Sequence, residues 1–270
     1  MSRIRHIEQG NRRIGFREAG QANSEAVFFF HSLGASSEMW APQLESFGSD
    51  YHVIAMDCRG HGGTTADGTF SIPGCVEDAQ AVLDELSVPD VHVVGLSMGG
   101  QMAAQLAAVL NGGGARRCRS VVLACTYRTM AGPMADERIA ATRNVLRAKT
   151  MSDVARSYVD STVCSHMEER WRTLLLQLIE QVRPEDYLAT LEEILRYDAG
   201  PALSRVAAPI LVLSGRKDPR VSPQQLQILL DAAPHARSVI LENAGHLANL
   251  EDPLAFDREI RRFWSDLPGI

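Results

Sequence analysis

Short, apolar, β-rich runs alternate with helix-patterned segments along this chain, and that alternation limits the fold more than any other feature. Runs at residues 27–30, 52–56, 91–96, 120–125, 210–214 and 238–242 have the length and composition of strands covered on both faces. Between them, residues 36–47, 71–86, 98–110, 223–232 and 253–264 carry apolar residues at helical spacing. In the last, Ala255, Phe256, Ile260 and Phe263 share one face, with Asp252 as N-cap and Pro253 as first helical residue. The order predicts βαβ units: an α/β fold whose mostly parallel central sheet is flanked by helices. The alternation stops at residues 128–205. There the apolar residues keep helical spacing at 139–148, 154–163, 171–182 and 187–195, with Pro184, Glu185 and Asp186 opening the last segment. We expect a core domain of residues 1–127 and 206–270, and a helical cap of residues 128–205 inserted between two strands.

The remaining composition removes several classes of function. The formal net charge is −6, and no stripe of lysine and arginine offers a nucleic-acid footprint. The cluster Arg116, Arg117 and Arg119 reads as a solvated turn. No run approaches the ~20 apolar residues that a membrane span needs. The opening MSRIRHIEQGNRR has no apolar signal core. Five cysteines, Cys58, Cys75, Cys118, Cys125 and Cys164, form no C-x-x-C pair, which suits a reducing, cytoplasmic compartment. No histidine–cysteine spacing suggests a metal site.

Chemistry concentrates at Gly95-Leu96-Ser97-Met98-Gly99-Gly100, a G-x-S-x-G pattern between an apolar strand and a helical run. A strand-to-helix elbow presents a serine hydroxyl in a tight turn whose neighbours must be small. A serine of ordinary acidity needs a base, and the base needs an orienting acid. His246, in Asn243-Ala244-Gly245-His246, follows the run at 238–242, on the same sheet edge as Ser97. His61 in Arg59-Gly60-His61-Gly62 is the second candidate base. Asp218 follows the run at 210–214 through Gly215-Arg216-Lys217. The oxyanion of a tetrahedral intermediate needs two donors. We expect them to be the backbone N–H of Met98, next to the serine, and that of Leu33 in His31-Ser32-Leu33-Gly34.

These residues together resemble the α/β-hydrolase superfamily along the whole chain. The resembling motifs are His31-Ser32-Leu33-Gly34 with Met39-Trp40, Asp57-Cys58-Arg59-Gly60-His61-Gly62, Gly95 to Gly100, Gly215-Arg216-Lys217-Asp218, and Asn243-Ala244-Gly245-His246. The resemblance implies a triad of Ser97, Asp218 and His246, an oxyanion hole at Leu33 and Met98, a helical cap, and neither cofactor nor metal. Within the superfamily the chain is most similar to 3-oxoadipate enol-lactone hydrolases, which often carry Asn where this chain has His31. The expected activity is hydrolysis of a small ester or lactone through an acyl-enzyme. C–C hydrolysis of a vinylogous diketone, and a lyase or receptor on the same scaffold, are the alternatives. We expect a small-molecule substrate as partner, without nucleic acid or membrane, and leave homo-oligomerisation open. Arg128 and Trp171 are the expected substrate contacts. Arg138 and Arg143 are further carboxylate-binding candidates, around a pocket of a few hundred Å³.

Overall fold

The computed structural model describes residues 3–66, 70–112, 116–163 and 166–267. A hairpin of β1 (Ile4–Gln9) and β2 (Arg12–Ala19) opens the chain, followed by β3 (Ala26–Phe30). A 3₁₀ turn (Ser37–Trp40) leads into α1 (Ala41–Phe47), then come β4 (His52–Met56), α2 (Ile72–Glu85), β5 (Asp90–Leu96), α3 (Met98–Leu110) and β6 (Arg117–Ala124). The helices α4 (Pro133–Ala148), α5 (Met151–Thr162), α6 (Glu169–Gln181), α7 (Pro184–Arg196) and the short α8 (Gly200–Leu203) follow. The chain returns to the sheet with β7 (Ile210–Gly215), α9 (Pro223–Ala232) and β8 (Arg237–Leu241), and ends with α10 (Ala248–Glu251) and α11 (Pro253–Ser265).

The eight strands form one sheet in the order β1-β2-β4-β3-β5-β6-β7-β8. The pairs β1–β2 and β2–β4 are antiparallel and the other five are parallel. Phe28, Phe29 and Phe30 of β3 are fully buried because helices cover both faces there. Phe29 meets Trp40 at a ring separation of 4.7 Å, and Phe28 meets Phe30 at 5.0 Å. Burying each such ring stabilises the fold by roughly 1.5–3 kcal/mol.

Two details differ from the sequence reading. The hairpin β1–β2 was not expected, because its strands are half-exposed at the sheet edge and rich in arginine and glutamate. The expected helix at 36–47 is split into the 3₁₀ turn and α1. Pro42 lies in the first turn of α1, where it has no N–H to give the preceding turn. Among the described residues, every regular element between β6 and β7 is a helix, and the helix ends follow local chemistry. Thr150 and Asp153 form a reciprocal capping box on α5, and Pro184 starts α7 with Glu185 and Asp186 in its first turn. Gln101 of α3 donates to the Ile194 carbonyl at 3.1 Å, and Tyr197 donates to Gln105 at 2.8 Å, so the insertion is tied to the helix after Ser97.

Candidate active site

The parallel strands all end on one edge of the sheet, and the loops leaving that edge meet. Ser97 lies between β5 and α3 with φ 56° and ψ −117°, a backbone state in which a side chain is strained. The small residues around it are forced by contact. A Cβ on Gly95 would sit 2.0 Å from the Gly99 carbonyl oxygen, and one on Gly99 would sit 2.2 Å from that of Phe30. Thr126 donates its hydroxyl to the Ser97 carbonyl at 2.7 Å, fixing the elbow from β6.

His246 and Asp218 arrive from the ends of β8 and β7. The Ser97 hydroxyl is 2.9 Å from His246 Nε2, and His246 Nδ1 is 2.9 Å and 3.1 Å from the two Asp218 oxygens. Asp218 Oδ1 also accepts the N–H groups of Arg220 at 2.7 Å and Val221 at 3.1 Å, which aim the carboxylate at the ring. His246 is 2% exposed and Ser97 8%. A buried hydroxyl in this unbroken relay can give up its proton to the ring as it attacks an electrophile.

The loop after β3 closes one side of the site through two buried histidines. His31 donates Nδ1–H to the Ser32 carbonyl at 2.8 Å and accepts the Cys58 N–H on Nε2 at 2.9 Å. His61 donates Nδ1–H to the Arg59 carbonyl at 3.0 Å and accepts the Gly34 N–H on Nε2 at 3.2 Å. Both rings are therefore neutral, and burial holds each well below the ordinary imidazole range, at about 4. His61 is thus occupied in pinning this loop and does not reach Ser97, which bonds to His246 instead. Leu33, at the tip of the loop, faces the same small cavity as Ser97.

That cavity holds about 20 Å³, roughly the space of one water. The expectation of a few hundred Å³ does not hold for this closed arrangement, because large side chains crowd the space. Arg138 of α4, Tyr158 of α5 and Leu191, Ile194 and Leu195 of α7 come from the insertion; Tyr127 and Arg220 come from the core loops. Arg220 spends its guanidinium on the hydroxyls of Ser161 (2.6 Å) and Thr162 (2.6 and 3.0 Å) and lies 5.2 Å from the Tyr158 ring centre. Among the described residues, the Arg138 guanidinium has one hydrogen-bond partner, the Met130 sulfur at 3.7 Å. Among the described residues neither arginine has a carboxylate partner. Tyr127 donates its hydroxyl to the Ile194 carbonyl, and burial pushes its pKa up to about 12.

The expected substrate contacts lie elsewhere. Arg128 makes a two-point ion pair with Asp198, at 2.8 and 2.9 Å, and does not line the cavity. Arg143 pairs with Glu192. Trp171 of α6 is covered by the Arg170 guanidinium at 4.5 Å and borders a separate groove with Glu38 and Leu44. Sequence reasoning missed Arg220 and Tyr158. The signal for Arg220 was its place two residues after Asp218, on the loop that supplies the acid.

A second chain of serine, histidine and carboxylate runs at the opposite end of the sheet. His92 Nδ1 is 2.6 Å from the Ser120 hydroxyl, and His92 Nε2 is 2.8 Å from Glu25. Trp264 of α11 donates its indole N–H to the same Ser120 oxygen at 3.0 Å. Among the described residues, no group of three or more histidine, cysteine, aspartate or glutamate side chains has an arrangement that could hold a metal ion.

A parallel sheet with an antiparallel edge, a serine elbow, and a histidine and an acid on later strand ends together define a class of enzyme. Residues 27–259 match the alpha/beta hydrolase family, and the chain belongs to it. It is an alpha/beta hydrolase whose relatives are hydrolases. It is 29% identical over 251 residues to 3-oxoadipate enol-lactonase 2 of Acinetobacter baylyi, covering 92% of this chain and 91% of that protein. It is 26% identical to the (E)-2-((N-methylformamido)methylene)succinate hydrolase of the same organism, covering 96% of each. Its fold is similar to the crystal structure of the enol-lactonase from Burkholderia xenovorans LB400. The TM-score is 0.86 with 26% identity, over 97% of this chain and 100% of that one.

Proposed function

We propose that this hydrolase cleaves a small ester or lactone bearing a carboxylate. The observation that carries the reading is the relay of Ser97, His246 and Asp218 facing a cavity with two arginines that have no carboxylate partner among the described residues. A substrate carboxylate can accept from Arg138 and Arg220, and would take Arg220 away from the neutral hydroxyls of Ser161 and Thr162. The enol-lactonase relative agrees with a lactone, and the relative named for a substituted succinate agrees with a carboxylate on the substrate.

In this reading Ser97 is the nucleophile. His246 takes the hydroxyl proton as the oxygen bonds to the acyl carbon, and Asp218 holds the ring in the productive orientation. The negative oxygen of the tetrahedral intermediate accepts from the backbone N–H groups of Leu33 and Met98. Collapse breaks the bond to the leaving alcohol, which leaves with the proton from His246. Water then adds to the acyl-enzyme, giving its proton to His246, and the second collapse returns that proton to Ser97. The inserted helices serve as the cap that selects substrate. No cofactor or macromolecular partner is needed, and the four cysteines among the described residues, all free and buried, suit a reducing cytoplasm. Cys164 lies outside the described residues.

The test is hydrolysis of a matched series of acidic and neutral methyl esters and lactones. Ser97→Ala should lower kcat by 10⁴ or more without changing the melting temperature. Arg220→Leu and Arg138→Leu should lower kcat/KM by roughly 10–100-fold on acidic substrates alone, the 1.5–3 kcal/mol of charge-assisted hydrogen bonds. Equal losses on neutral and acidic substrates would remove the carboxylate from the reading.

A further inference from the structure

The loop that carries His246 is held by a group outside the relay. Glu251, at the end of α10, is 7% exposed. Its Oε2 accepts the N–H of Gly245 at 3.2 Å, and its Oε1 accepts the N–H of Leu247 at 3.0 Å. These two amides are the neighbours of His246 on either side, so one carboxylate spans the backbone of the histidine. The carbonyl side of the loop is held by the core. Ala244 accepts the Lys217 N–H at 3.0 Å, and Gly245 accepts the Cys125 thiol at 3.5 Å.

We propose that Glu251 is a positioning residue for His246, setting the backbone from which the ring reaches Asp218 and Ser97 together. This rests on the reading that His246 activates Ser97. The ring has two side-chain torsions with which to satisfy two partners, Asp218 at Nδ1 and Ser97 at Nε2. Once those torsions are set, a shift of the backbone cannot be absorbed without lengthening one bond. Neither a helix nor a strand ladder supplies acceptors for the amides of Gly245 and Leu247, and a carboxylate has two acceptor oxygens and no donor. A glutamine offers one acceptor, and its NH₂ would face an N–H. One buried amide is then unsatisfied, and the loop relaxes away from its place.

The experiment compares Glu251→Gln and Glu251→Asp, each in the wild-type and the His246→Ala backgrounds, on a nitrophenyl ester, with melting temperature and near-ultraviolet circular dichroism as controls of folding. A misplacement of about 1 Å costs on the order of 10²-fold. Glu251→Gln should therefore lower kcat about 100-fold with KM within about threefold of wild type. In the His246→Ala background, read on the residual hydrolysis, its effect should shrink to within about threefold. Glu251→Asp, which keeps both acceptors on a shorter arm, should lose about tenfold and show the same dependence on background. Should Glu251→Gln fail to fold, Glu251→Asp carries the test alone. A kcat within about threefold of wild type, or an equal loss with and without the imidazole, overturns the proposal. A His246→Ala enzyme of near wild-type activity would overturn the reading beneath it, and is distinguishable from either.

Discussion

Acid should unfold this protein through the two histidines under the loop after β3. Each ring accepts a backbone N–H on Nε2, and a proton added there would face that donor with nothing to accept it. An imidazole titrates near 6.5 in the unfolded chain, and burial holds both here at about 4. The unfolded state therefore takes protons first. Stability is complete above about 6.5, falls as the pH drops from 6.5 towards 4, and levels off below. Across the whole interval each histidine costs about 3 kcal/mol, and at pH 5 about 2 kcal/mol. Two such losses are a large part of a typical 5–15 kcal/mol. Burial raises the pKa of Asp57, which moves stability the other way as the pH falls. The clean measurement is thus a difference: urea unfolding of wild type against His31→Asn, which has no proton to take up. The stability of wild type relative to the variant should shrink by about 2 kcal/mol between pH 7.5 and 5. A difference that stays constant over that range would refute the reasoning.

Three further outcomes follow from individual contacts. Gly99→Ala drives a methyl to 2.2 Å from the Phe30 carbonyl oxygen; it should cost more than about 3 kcal/mol and abolish hydrolysis, and a near-native melting temperature would contradict the elbow packing. Thr126→Val removes the donor on the Ser97 carbonyl at nearly constant shape, so chemical denaturation should register a loss of about 1 kcal/mol. Arg59 binds buried Asp78 at 2.7 and 3.0 Å. Arg12 also binds Asp78, at 2.9 and 3.2 Å. Asp78→Leu, which takes the buried carboxylate from both guanidiniums, should therefore destabilise by about 3–5 kcal/mol in urea unfolding, and by more than Arg59→Met, which leaves Asp78 paired with Arg12.

The core strands were readable from sequence because burial on both faces leaves an uninterrupted apolar signature, as in Phe28, Phe29 and Phe30. The hairpin at residues 4–19 was not, because an edge strand mixes Arg12, Arg13 and Glu18 with its few buried residues. Ser97, Asp218 and His246 were legible for a topological reason: parallel strands end on one edge, so residues just after strands converge whatever separates them in the chain. The cavity wall had no such rule. Arg128 and Arg138 look alike in sequence, and only the fold brings Asp198 to the first and the cavity to the second. His31, which departs from the pattern of similar chains, acquired its meaning from the Cys58 amide, 27 residues away.

The chain of Glu25, His92 and Ser120 has the bond lengths of a reactive centre, and its chemistry is nonetheless quenched. The difference lies in the electron pairs of the serine oxygen. On Ser120 one pair is committed to the Trp264 indole N–H, and full burial keeps any electrophile away. On Ser97 the hydroxyl meets only His246 among the described residues, and the rest of the oxygen borders the cavity. A geometric template built from three distances would select both serines. One extra donor converts the same arrangement from a reagent into a rivet, holding the final helix to the far end of the sheet. A fluorophosphonate should therefore mark this protein once.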